Sequence, residues 1–381
     1  AKKVLFIVHR EQIARQALET FKLIFGNNRS YGLLTGQNKN TEADFIFATI
    51  QTISKQEVYQ SFPKNYFDEI IIDEVHRAGA ESYLRVMDYF KPTFYLGMTA
   101  SPDRTDSFNI YELFNNNIVY EVRLKEAMEN DLLCPFHYFG ISDLEIDGQP
   151  IDELSDFSKL YSDKRVNHII DRINYYGYSG NRVKGLVFCS SKQEAKALSD
   201  EFNKRGFKTT SLTGEDSQER REREVERLVA DTGDVLDYIF TVDIFNEGVD
   251  IPEVNQVVML RPTQSAIVFI QQLGRGLRKS KDKDFVVIID FIANYKNNFL
   301  IPVALSGDNS YDKDTVRKFL SQGTRYLPGT STIHFDEISK QRIYSAIDNV
   351  KLNTWIFVAT EYSKLKNKLG RIPTYYDFEN Y

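Results

Sequence analysis

The sequence predicts an α/β protein made of two lobes, each built around a mostly parallel β-sheet covered by helices. Short apolar runs alternate with amphipathic stretches, which is typical of successive strand–helix units. This pattern occurs twice, over residues 1–130 and 181–297. Residues 131–180 are polar and rich in tyrosine, and we expect them to connect the lobes and lead into the second one. Residues 298–381 favour helices, and we expect part of a helical accessory domain there.

Composition restricts the class of protein further. The 381 residues are 42% hydrophobic and 27% charged, which suits an ordinary globular protein of two or three domains at roughly 100–200 residues each. No apolar run approaches the ~20 residues that span a bilayer, and the first residues do not resemble a signal peptide. Because Cys134 and Cys189 are too few for a disulfide framework, we expect a cytoplasmic protein that does not contact membranes.

The first lobe begins with the apolar run Val4–Val8, which predicts a buried strand. Residues 11–25 follow as a helix that ends before Gly26. The apolar face of this helix is predicted to contain Ile13, Ala17, Phe21 and Ile24. Further strands are predicted at residues 45–50, 69–72 and 94–98.

The second lobe repeats this order of elements. Strands are predicted at residues 185–189, 237–242, 256–260 and 285–290. Residues 193–205 and 216–230 are predicted to be helices between them. Later helices are predicted at residues 335–350 and 354–369.

Two adjacent carboxylates end the apolar run at residues 69–72. Ligands of open parallel sheets bind at the carboxyl ends of strands, so Asp73 and Glu74 stand where chemistry is expected. Asp73 can hold Mg²⁺ through water, while Glu74 orients a water molecule at a γ-phosphate. The alternative is that the pair begins a turn or caps the next helix.

This pair lies in the first of five short motifs that follow one another along the chain. They are "DEVH" at 73–76, "MTASP" at 98–102, "GLVFCSS" at 185–191, "FTVDIFNEGVDIP" at 240–252 and "QQLGRGLR" at 271–278. These segments resemble motifs II to VI of the superfamily 2 helicases and translocases, the DEAD/DEAH-box (DExH) group. The resemblance implies two RecA-like lobes, ATP and Mg²⁺ as cofactors, and nucleic acid as a partner.

The last motif has its own physical interpretation. Gln271, Arg275 and Arg278 are spaced i, i+4, i+7, which places them on one face of a helix. Two guanidinium groups on one face suit phosphate oxygens. The alternative is a solvated basic helix end, since "RKSKDKD" covers residues 278–284. The resemblance implies that the arginines stabilise transition-state charge on the γ-phosphate and that Gln271 contacts His76.

The remaining motifs contribute supporting residues. By resemblance, Gly248 allows close backbone approach to phosphates and Asp250 meets the ribose; the alternative is a loop glycine and a turn cap. Thr99 and Ser101 would link ATP hydrolysis to nucleic-acid movement. A metal-binding role for His76 is not expected, because no other His or Cys lies at ligand spacing.

Nucleic-acid contacts are expected at three strand ends. Arg10 lies where a helix begins after the first strand, which suits a phosphate. Thr49 and Gln51 follow another strand, and Thr213 and Gly214 offer a counterpart in the second lobe. Ordinary helix capping is the alternative for each position.

The phosphate-binding P-loop of such motors, G-x-x-x-x-G-K-[ST], does not occur in these 381 residues. In the family this loop lies just before the strand that resembles "VLFIVH". The sequence therefore predicts a first lobe that lacks its amino-terminal part, and a chain that alone does not hydrolyse ATP.

The sequence after Asn298 resembles the domain of unknown function that follows the motor in bacterial helicases related to type III restriction subunits. This favours DNA over RNA, and a longer parent protein with further domains or subunits. The predicted function is an ATP-dependent nucleic-acid helicase or translocase. The competing hypothesis is a non-hydrolysing nucleic-acid-binding or scaffold module with the same two-lobed fold.

The end of the chain, "KNKLGRIPTYYDF" at residues 366–378, leaves two interpretations open. In one, basic residues contact phosphates: Lys366, Lys368 and Arg371. In the other, which we favour, they form a solvated helix end and the apolar residues are core: Ile372, Tyr375, Tyr376 and Phe378.

Overall fold

A computed structural model of the chain describes two compact units. The described residues are 2–75, 78–99, 109–122, 124–146, 149–150, 161–242, 251–261, 274, 276–293, 295–306, 312–322, 330–349 and 355–378. Unit 1 comprises Ala1–Glu121 together with Asn353–Tyr381, and unit 2 comprises Val122–Leu352. Within the described residues, no helix has the length and apolar character needed to cross a membrane.

The elements have the following bounds. The strands are β1 (Val4–Val8), β2 (Tyr31–Leu34), β3 (Phe45–Thr49), β4 (Glu69–Asp73), β5 (Phe94–Met98), β6 (Phe136–Ser142), β7 (Glu145–Ile146), β8 (Gln149–Pro150), β9 (Gly185–Phe188), β10 (Thr209–Leu212), β11 (Tyr238–Thr241), β12 (Gln256–Met259), β13 (Val286–Ile292) and β14 (Thr332–Phe335). The helices are α1 (Glu11–Phe25), α2 (Ile50–Ile53), α3 (Gln56–Tyr59), α4 (Glu81–Tyr89), α5 (Leu124–Glu129), α6 (Asp163–Tyr176), α7 (Lys192–Lys204), α8 (Gln218–Val229), α9 (Leu300–Ser306), α10 (Lys313–Gln322), α11 (Glu337–Asn349) and α12 (Trp355–Leu369).

Unit 1 contains a parallel sheet in the order β2-β3-β1-β4-β5. Every residue of β1 and β3 is buried, as expected for strands that are covered on both faces. Helix α1 covers one face through Ala14 and Phe21. Ile24 is 68% exposed, so its predicted place on the buried face was wrong. Leu18 packs against the sheet instead.

Unit 2 contains a larger parallel sheet in the order β10-β11-β9-β12-β13-β6-β14. Its last two strands come from outside residues 181–297, where the sequence predicts the second lobe. Strand β6 lies within the predicted connection, and its burial largely alternates along "FHYFGIS". Among the described strands, β14 pairs with β6, so its place in the sheet depends on a partner almost two hundred residues earlier. Local periodicity does not contain that information.

Helix α12 belongs to unit 1, although it follows unit 2 along the chain. Leu365 of this helix is buried. At its end, the side-chain amide of Asn116 donates to the carbonyl of Asn367 at 2.6 Å. Lys368 also forms an ion pair with Glu121 at 2.7 Å. The sequence predicts residues 298–381 as one accessory domain, whereas β14 extends the sheet of unit 2 and α12 packs in unit 1.

A buried ion-pair network joins three elements of unit 2. The guanidinium of Arg165, which is 0% exposed, donates to Asp143 at 2.8 Å and to Glu194 at 2.9 Å. Glu194 also accepts hydrogen bonds from the amide and hydroxyl of Ser190 at 2.8 and 2.5 Å. Because Ser190 lies two residues after the end of β9, the network fixes the backbone just beyond the carboxyl end of that strand.

A second buried carboxylate lies within the sheet of unit 2. Asp290 of β13 is 3% exposed and accepts a hydrogen bond from the hydroxyl of Tyr138 at 2.6 Å. Burial raises the pKa of Asp290 from 3.8 to about 7, and the hydrogen bond from Tyr138 opposes this rise only partly. The native state therefore keeps the Asp290 proton over a pH range in which the unfolded chain releases it.

Arg165→Met is expected to destabilise unit 2 by about 3–5 kcal/mol, because it leaves two buried carboxylates without their counter-ion. The exposed pair of Lys192 with Glu215 supplies the control, and Lys192→Met should change stability by less than about 1 kcal/mol. Urea unfolding, followed by far-UV circular dichroism, measures the free energy of unfolding of both variants. Equal effects of the two variants would contradict a stabilising role for the network.

Asp290→Asn is expected to change the pH dependence of unfolding. Since the folded pKa lies above the unfolded one, the contribution of Asp290 to stability is greatest below about pH 4 and falls as the pH rises towards 7, by up to about 4 kcal/mol. The asparagine variant should lack this fall, so it gains stability relative to the parent protein at neutral pH. Urea unfolding between pH 4 and 8 measures the difference, with exposed Asp200→Asn as control. If the free energy of unfolding varied with pH in the same way for the parent protein and Asp290→Asn, the predicted contribution of Asp290 would be refuted.

Candidate functional site

The carboxyl ends of four adjacent strands meet at one edge of the unit 1 sheet. Val8 at the end of β1 lies opposite Thr49 of β3. On the other side of β1, Ile7 lies opposite Ile72 of β4. Asp73 in turn lies opposite Met98 of β5. This register brings Thr49, Asp73 and the residues that follow β1 and β5 to a common edge, as the positions of the motifs predict.

Asp73 and Glu74 form a sharp turn at this edge. The amide of Glu74 donates to Oδ1 of Asp73 at 3.0 Å, and Glu74 adopts a left-handed conformation with φ of 51°. The other described non-glycine residues with positive φ are Asn or Asp: Asn115, Asn116 and Asp131. Those side chains tolerate this region, whereas a glutamate is strained there by about 1–2 kcal/mol. Backbone strain of this kind is concentrated at functional sites.

The acidic pair suits Mg²⁺ bound together with a nucleotide. Mg²⁺ is usually held by one or two carboxylates, with phosphate oxygens and water as its other ligands. Asp73 and Glu74 are both partly buried at the sheet edge. Across the residues that the structure describes, no group of three or more His, Cys, Asp or Glu side chains could hold a metal ion. The donor set therefore fits a nucleotide-bound Mg²⁺ better than a metal enclosed by protein ligands.

The predicted nucleic-acid residues of unit 1 lie at the same edge. Arg10 is the residue directly before α1, with φ of −128°. The side-chain amide of Gln51 donates to the carbonyl of His9 at 3.0 Å, which ties the start of α2 to the segment after β1. The hydroxyl of Thr49 donates to that of Thr52 at 2.9 Å. Thr49 occupies the N-cap position of α2, but its hydroxyl makes no capping hydrogen bond to a backbone amide of that helix.

In unit 2, Thr213 and Gly214 make local loop contacts, while the capping residue of α8 is Ser217, whose hydroxyl accepts a hydrogen bond from the amide of Arg220. Asp216 accepts hydrogen bonds from the amide of Thr213 at 2.7 Å and from its hydroxyl at 3.3 Å. Arg221 donates to the carbonyl of Gly214 at 2.8 Å. Gly214 is exposed, and a Cβ atom there would meet open space. Local hydrogen bonds therefore account for this loop without a ligand.

The helical face predicted for the last motif does not extend to Arg278. Gly274 and Gly276 are helical, but Arg278 lies in a bend after them and is exposed. A Cβ atom at Gly276 would lie 3.0 Å from Val286 and 3.1 Å from Val257, so this glycine permits close packing on the sheet. Six predicted residues lie outside the described ones: His76, Ser101, Gly248, Asp250, Gln271 and Arg275.

The basic run after Arg278 is divided between surface and interior. Lys281 is exposed, and Lys279 forms an exposed ion pair with Asp131 at 2.7 Å. Lys283, in contrast, is 7% exposed, and its ammonium group donates to backbone carbonyls. The solvated-end interpretation is therefore wrong for Lys283, which sequence patterns did not single out.

The aromatic segment at the end of the chain is exposed rather than buried. Ile372, Tyr375 and Tyr376 are 70%, 79% and 75% exposed, so the prediction that they form a core was wrong. Arg371 pairs with Asp377 through two contacts of 2.7 Å. This pairing, together with the capping of Thr374 by Asp377 at 2.6 Å, holds the short turn without an apolar interior.

Two family profiles match the chain. One, described as the res subunit of type III restriction enzymes, covers residues 1–104, and the other, the helicase conserved C-terminal domain, covers residues 164–280. The chain belongs to the superfamily 2 helicases. It falls in the DExH, restriction-subunit-like group, which confirms the resemblance found in the sequence.

Curated proteins similar to this chain include yeast and bacterial ones. A Saccharomyces cerevisiae protein named as an ATP-dependent helicase, IRC3, is 28% identical over 304 residues, which cover 76% of this chain and 43% of that protein. An endonuclease subunit of the Escherichia coli type I restriction enzyme EcoAI is 24% identical, with 76% and 40% covered. The chain spans about half the length of the curated relatives it matches.

Solved structures agree on the two-lobed RecA-like fold. A fragment of an HsdR-type subunit of a type I restriction enzyme from Vibrio vulnificus has a TM-score of 0.56 and 26% identity, over 76% of this chain and 53% of that one. The restriction-modification enzyme LlaBIII bound to DNA has a TM-score of 0.59 and 17% identity, over 99% and 32%. Saccharomyces cerevisiae Dbp5 bound to RNA has a TM-score of 0.55 and 16% identity, over 90% and 82%.

Truncation of the exposed aromatic residues should have little effect on stability. Tyr375→Ala and Tyr376→Ala are expected to change the free energy of unfolding by less than about 0.5 kcal/mol, because neither ring leaves a cavity. Leu365→Ala in the neighbouring helix α12 removes a buried side chain and should cost about 2–5 kcal/mol. Denaturant unfolding compares the three variants. A large loss for either tyrosine variant would restore the core interpretation.

Proposed function

We propose that this chain is the motor portion of an ATP-dependent DNA helicase or translocase. The observation that carries the proposal is the Asp73–Glu74 turn, in which a left-handed glutamate follows a carboxylate at the edge where four parallel strands end. Ligands of open α/β sheets bind at such an edge. The family profiles and the helicase relatives support the same activity.

In this proposal the acidic pair divides the work of phosphoryl transfer. Asp73 holds Mg²⁺ through water, and Glu74 orients and deprotonates the attacking water molecule. Bound Mg²⁺-ATP supplies the phosphoryl group and the metal charge that offsets charge on the phosphates. Arg275 and Arg278 stabilise transition-state charge, while Gln271 and His76 orient them. Gly248 and Asp250 contact the nucleotide, and Thr99 and Ser101 link its hydrolysis to nucleic-acid movement.

The nucleic-acid contacts are assigned to residues at strand ends. Arg10, Thr49 and Gln51 contact the phosphate backbone from unit 1, and Thr213 and Gly214 do so from unit 2. Gln51 is the best supported of these, because its bond to the carbonyl of His9 orders the segment that carries Arg10. The local bonds of Thr213 make its contact the weakest of the set.

DNA is proposed over RNA as the substrate. The matches to type I and type III restriction subunits support this choice, and one structural neighbour is bound to DNA. Another neighbour is bound to RNA, so the experiment compares both. We also propose that the protein works in the cytoplasm, which is supported by two buried cysteines that form no disulfide.

The 381 residues contain no P-loop, and this absence makes the proposed ATPase activity testable. The 381-residue chain should show no ATP turnover, because nothing in its sequence supplies the amides and lysine that hold the triphosphate. The product of the complete reading frame should hydrolyse ATP, with more stimulation by duplex DNA than by RNA of the same length. A coupled assay measures turnover for both proteins.

Glu74→Gln in the complete product is expected to lower kcat by about 10²- to 10⁴-fold, because it removes the general base. DNA affinity, measured by fluorescence anisotropy, should be retained. Exposed Glu57→Gln is the control and should leave kcat unchanged.

Robust turnover by the 381-residue chain would refute the need for a P-loop. A complete product without turnover would favour the competing hypothesis of a scaffold that only binds nucleic acid, and unchanged turnover in Glu74→Gln would remove that residue from catalysis.

A further inference from the structure

Lys283 donates three hydrogen bonds to the backbone of two separate segments of unit 2. Its ammonium group lies 2.9 Å from the carbonyl oxygen of Val254 and 2.9 Å from that of Gly276. It also donates to the carbonyl of Pro252. An ammonium group has three N–H donors, and all three of these carbonyls accept hydrogen bonds from it.

These contacts join the two sequence motifs that the family uses at its nucleotide site. Pro252 is the last residue of "FTVDIFNEGVDIP", and Gly276 lies within "QQLGRGLR". Gly276 also packs so closely on Val257 and Val286 that a Cβ atom would not fit without a shift. Lys283 therefore fixes the backbone of the second motif against both the first motif and the sheet.

Arg278 lies two residues after Gly276, whose backbone is fixed by these contacts. Leu277 lies between them and is 1% exposed. Its amide donates to Gly274 at 3.3 Å, and its carbonyl accepts a hydrogen bond from the amide of Cys134 at 2.7 Å. The chain that leads into Arg278 is thus held at both Gly276 and Leu277, although Arg278 itself is exposed.

The same basic run contains a lysine in a contrasting environment. Lys281 lies two residues before Lys283 and is exposed, whereas Lys283 is buried. A general need for positive charge would be met equally by either lysine. The burial of Lys283 with three backbone acceptors indicates a geometric role instead, because a buried ammonium group is stable only when its donors are used.

We propose that Lys283 is a positioning residue for Arg278, and that it sets the direction in which the Arg278 side chain extends from the backbone. The proposal rests on the proposed function, in which Arg278 stabilises charge during phosphoryl transfer. Lys283 touches no reacting group itself. Loss of its contacts should therefore affect the chemical step more than nucleotide or DNA binding, since small displacements of a positioned group can lower a rate by about 10²-fold.

The test compares Lys283→Met with Lys281→Met, which remove the same charge two residues apart. Hydrogen exchange of the 381-residue chain, read at the amides of residues 276–279, should rise about tenfold in Lys283→Met and stay unchanged in Lys281→Met. In the complete product, Lys283→Met should lower kcat for ATP about 10- to 100-fold, with KM for ATP and DNA affinity changed far less. Lys281→Met should retain the kcat of the parent protein.

The outcomes separate this proposal from the proposed function. If the parent product does not hydrolyse ATP, the proposed function fails and the exchange measurement alone decides whether Lys283 orders residues 276–279. If the parent product is active, equal kcat values or equal exchange in the two variants would overturn the role of Lys283. Should Lys283→Met fail to fold, Lys283→Gln, which keeps two N–H donors but no charge, takes its place. It is expected to fold and to show smaller changes of the same kind, and exchange and kcat values equal to those of the parent would reject the proposal.

Discussion

Backbone hydrogen bonding between parallel strands is the constraint on which the candidate site depends. Since β1, β3, β4 and β5 run in the same direction, their carboxyl ends occupy one edge of the unit 1 sheet. Arg10, Thr49, Glu74 and Thr99 are far apart in the sequence, yet each lies at or just after the end of one of these strands. The sheet brings them to one edge without requiring contacts between their side chains.

Unit 2 uses buried charge to fix comparable strand ends. Arg165, Asp143 and Glu194 come from different elements, and their network reaches Ser190 just after β9. Lys283 fixes the backbone at Gly276, which is not a strand end, with carbonyls as its acceptors. Buried ion pairs are weak contributors to net stability, because desolvation offsets much of their attraction. Their directional hydrogen bonds nevertheless define where a loop lies, which an apolar contact of the same size does less well.

The sequence predicted those features that depend on local pattern. The continuous apolar runs of β1, β3 and β13 identified strands that are buried on both faces. The sequence analysis did not predict the short strand β2, because "YGLL" contains a glycine and only four residues. Strand β14 was not predicted either, because its place in the sheet depends on a distant partner.

Side-chain environment was harder to predict than secondary structure. Lys281 and Lys283 have the same residue type in the same polar run, but Lys283 is buried and donates to three backbone carbonyls. The tyrosines at 375 and 376 looked like core residues from composition, but the Arg371–Asp377 pair holds their turn and leaves both rings exposed. In each case the deciding contacts follow from the three-dimensional arrangement, which a pattern of residue types does not specify.

The conformation of Glu74 bears on the two interpretations that the sequence leaves open for the acidic pair. A turn that only ends β4 would form at lower free energy with Asn or Gly at position 74, since these residues tolerate positive φ. The chain instead places a glutamate there, at a strain of about 1–2 kcal/mol, directly after a carboxylate that accepts its amide hydrogen. The next residue, Val75, already has 3₁₀-helical geometry, and its carbonyl accepts a hydrogen bond from the amide of Ala78 at 2.7 Å. The proposed water-orienting role of Glu74 requires its carboxylate at the sheet edge, which is a reason for the chain to keep this strain.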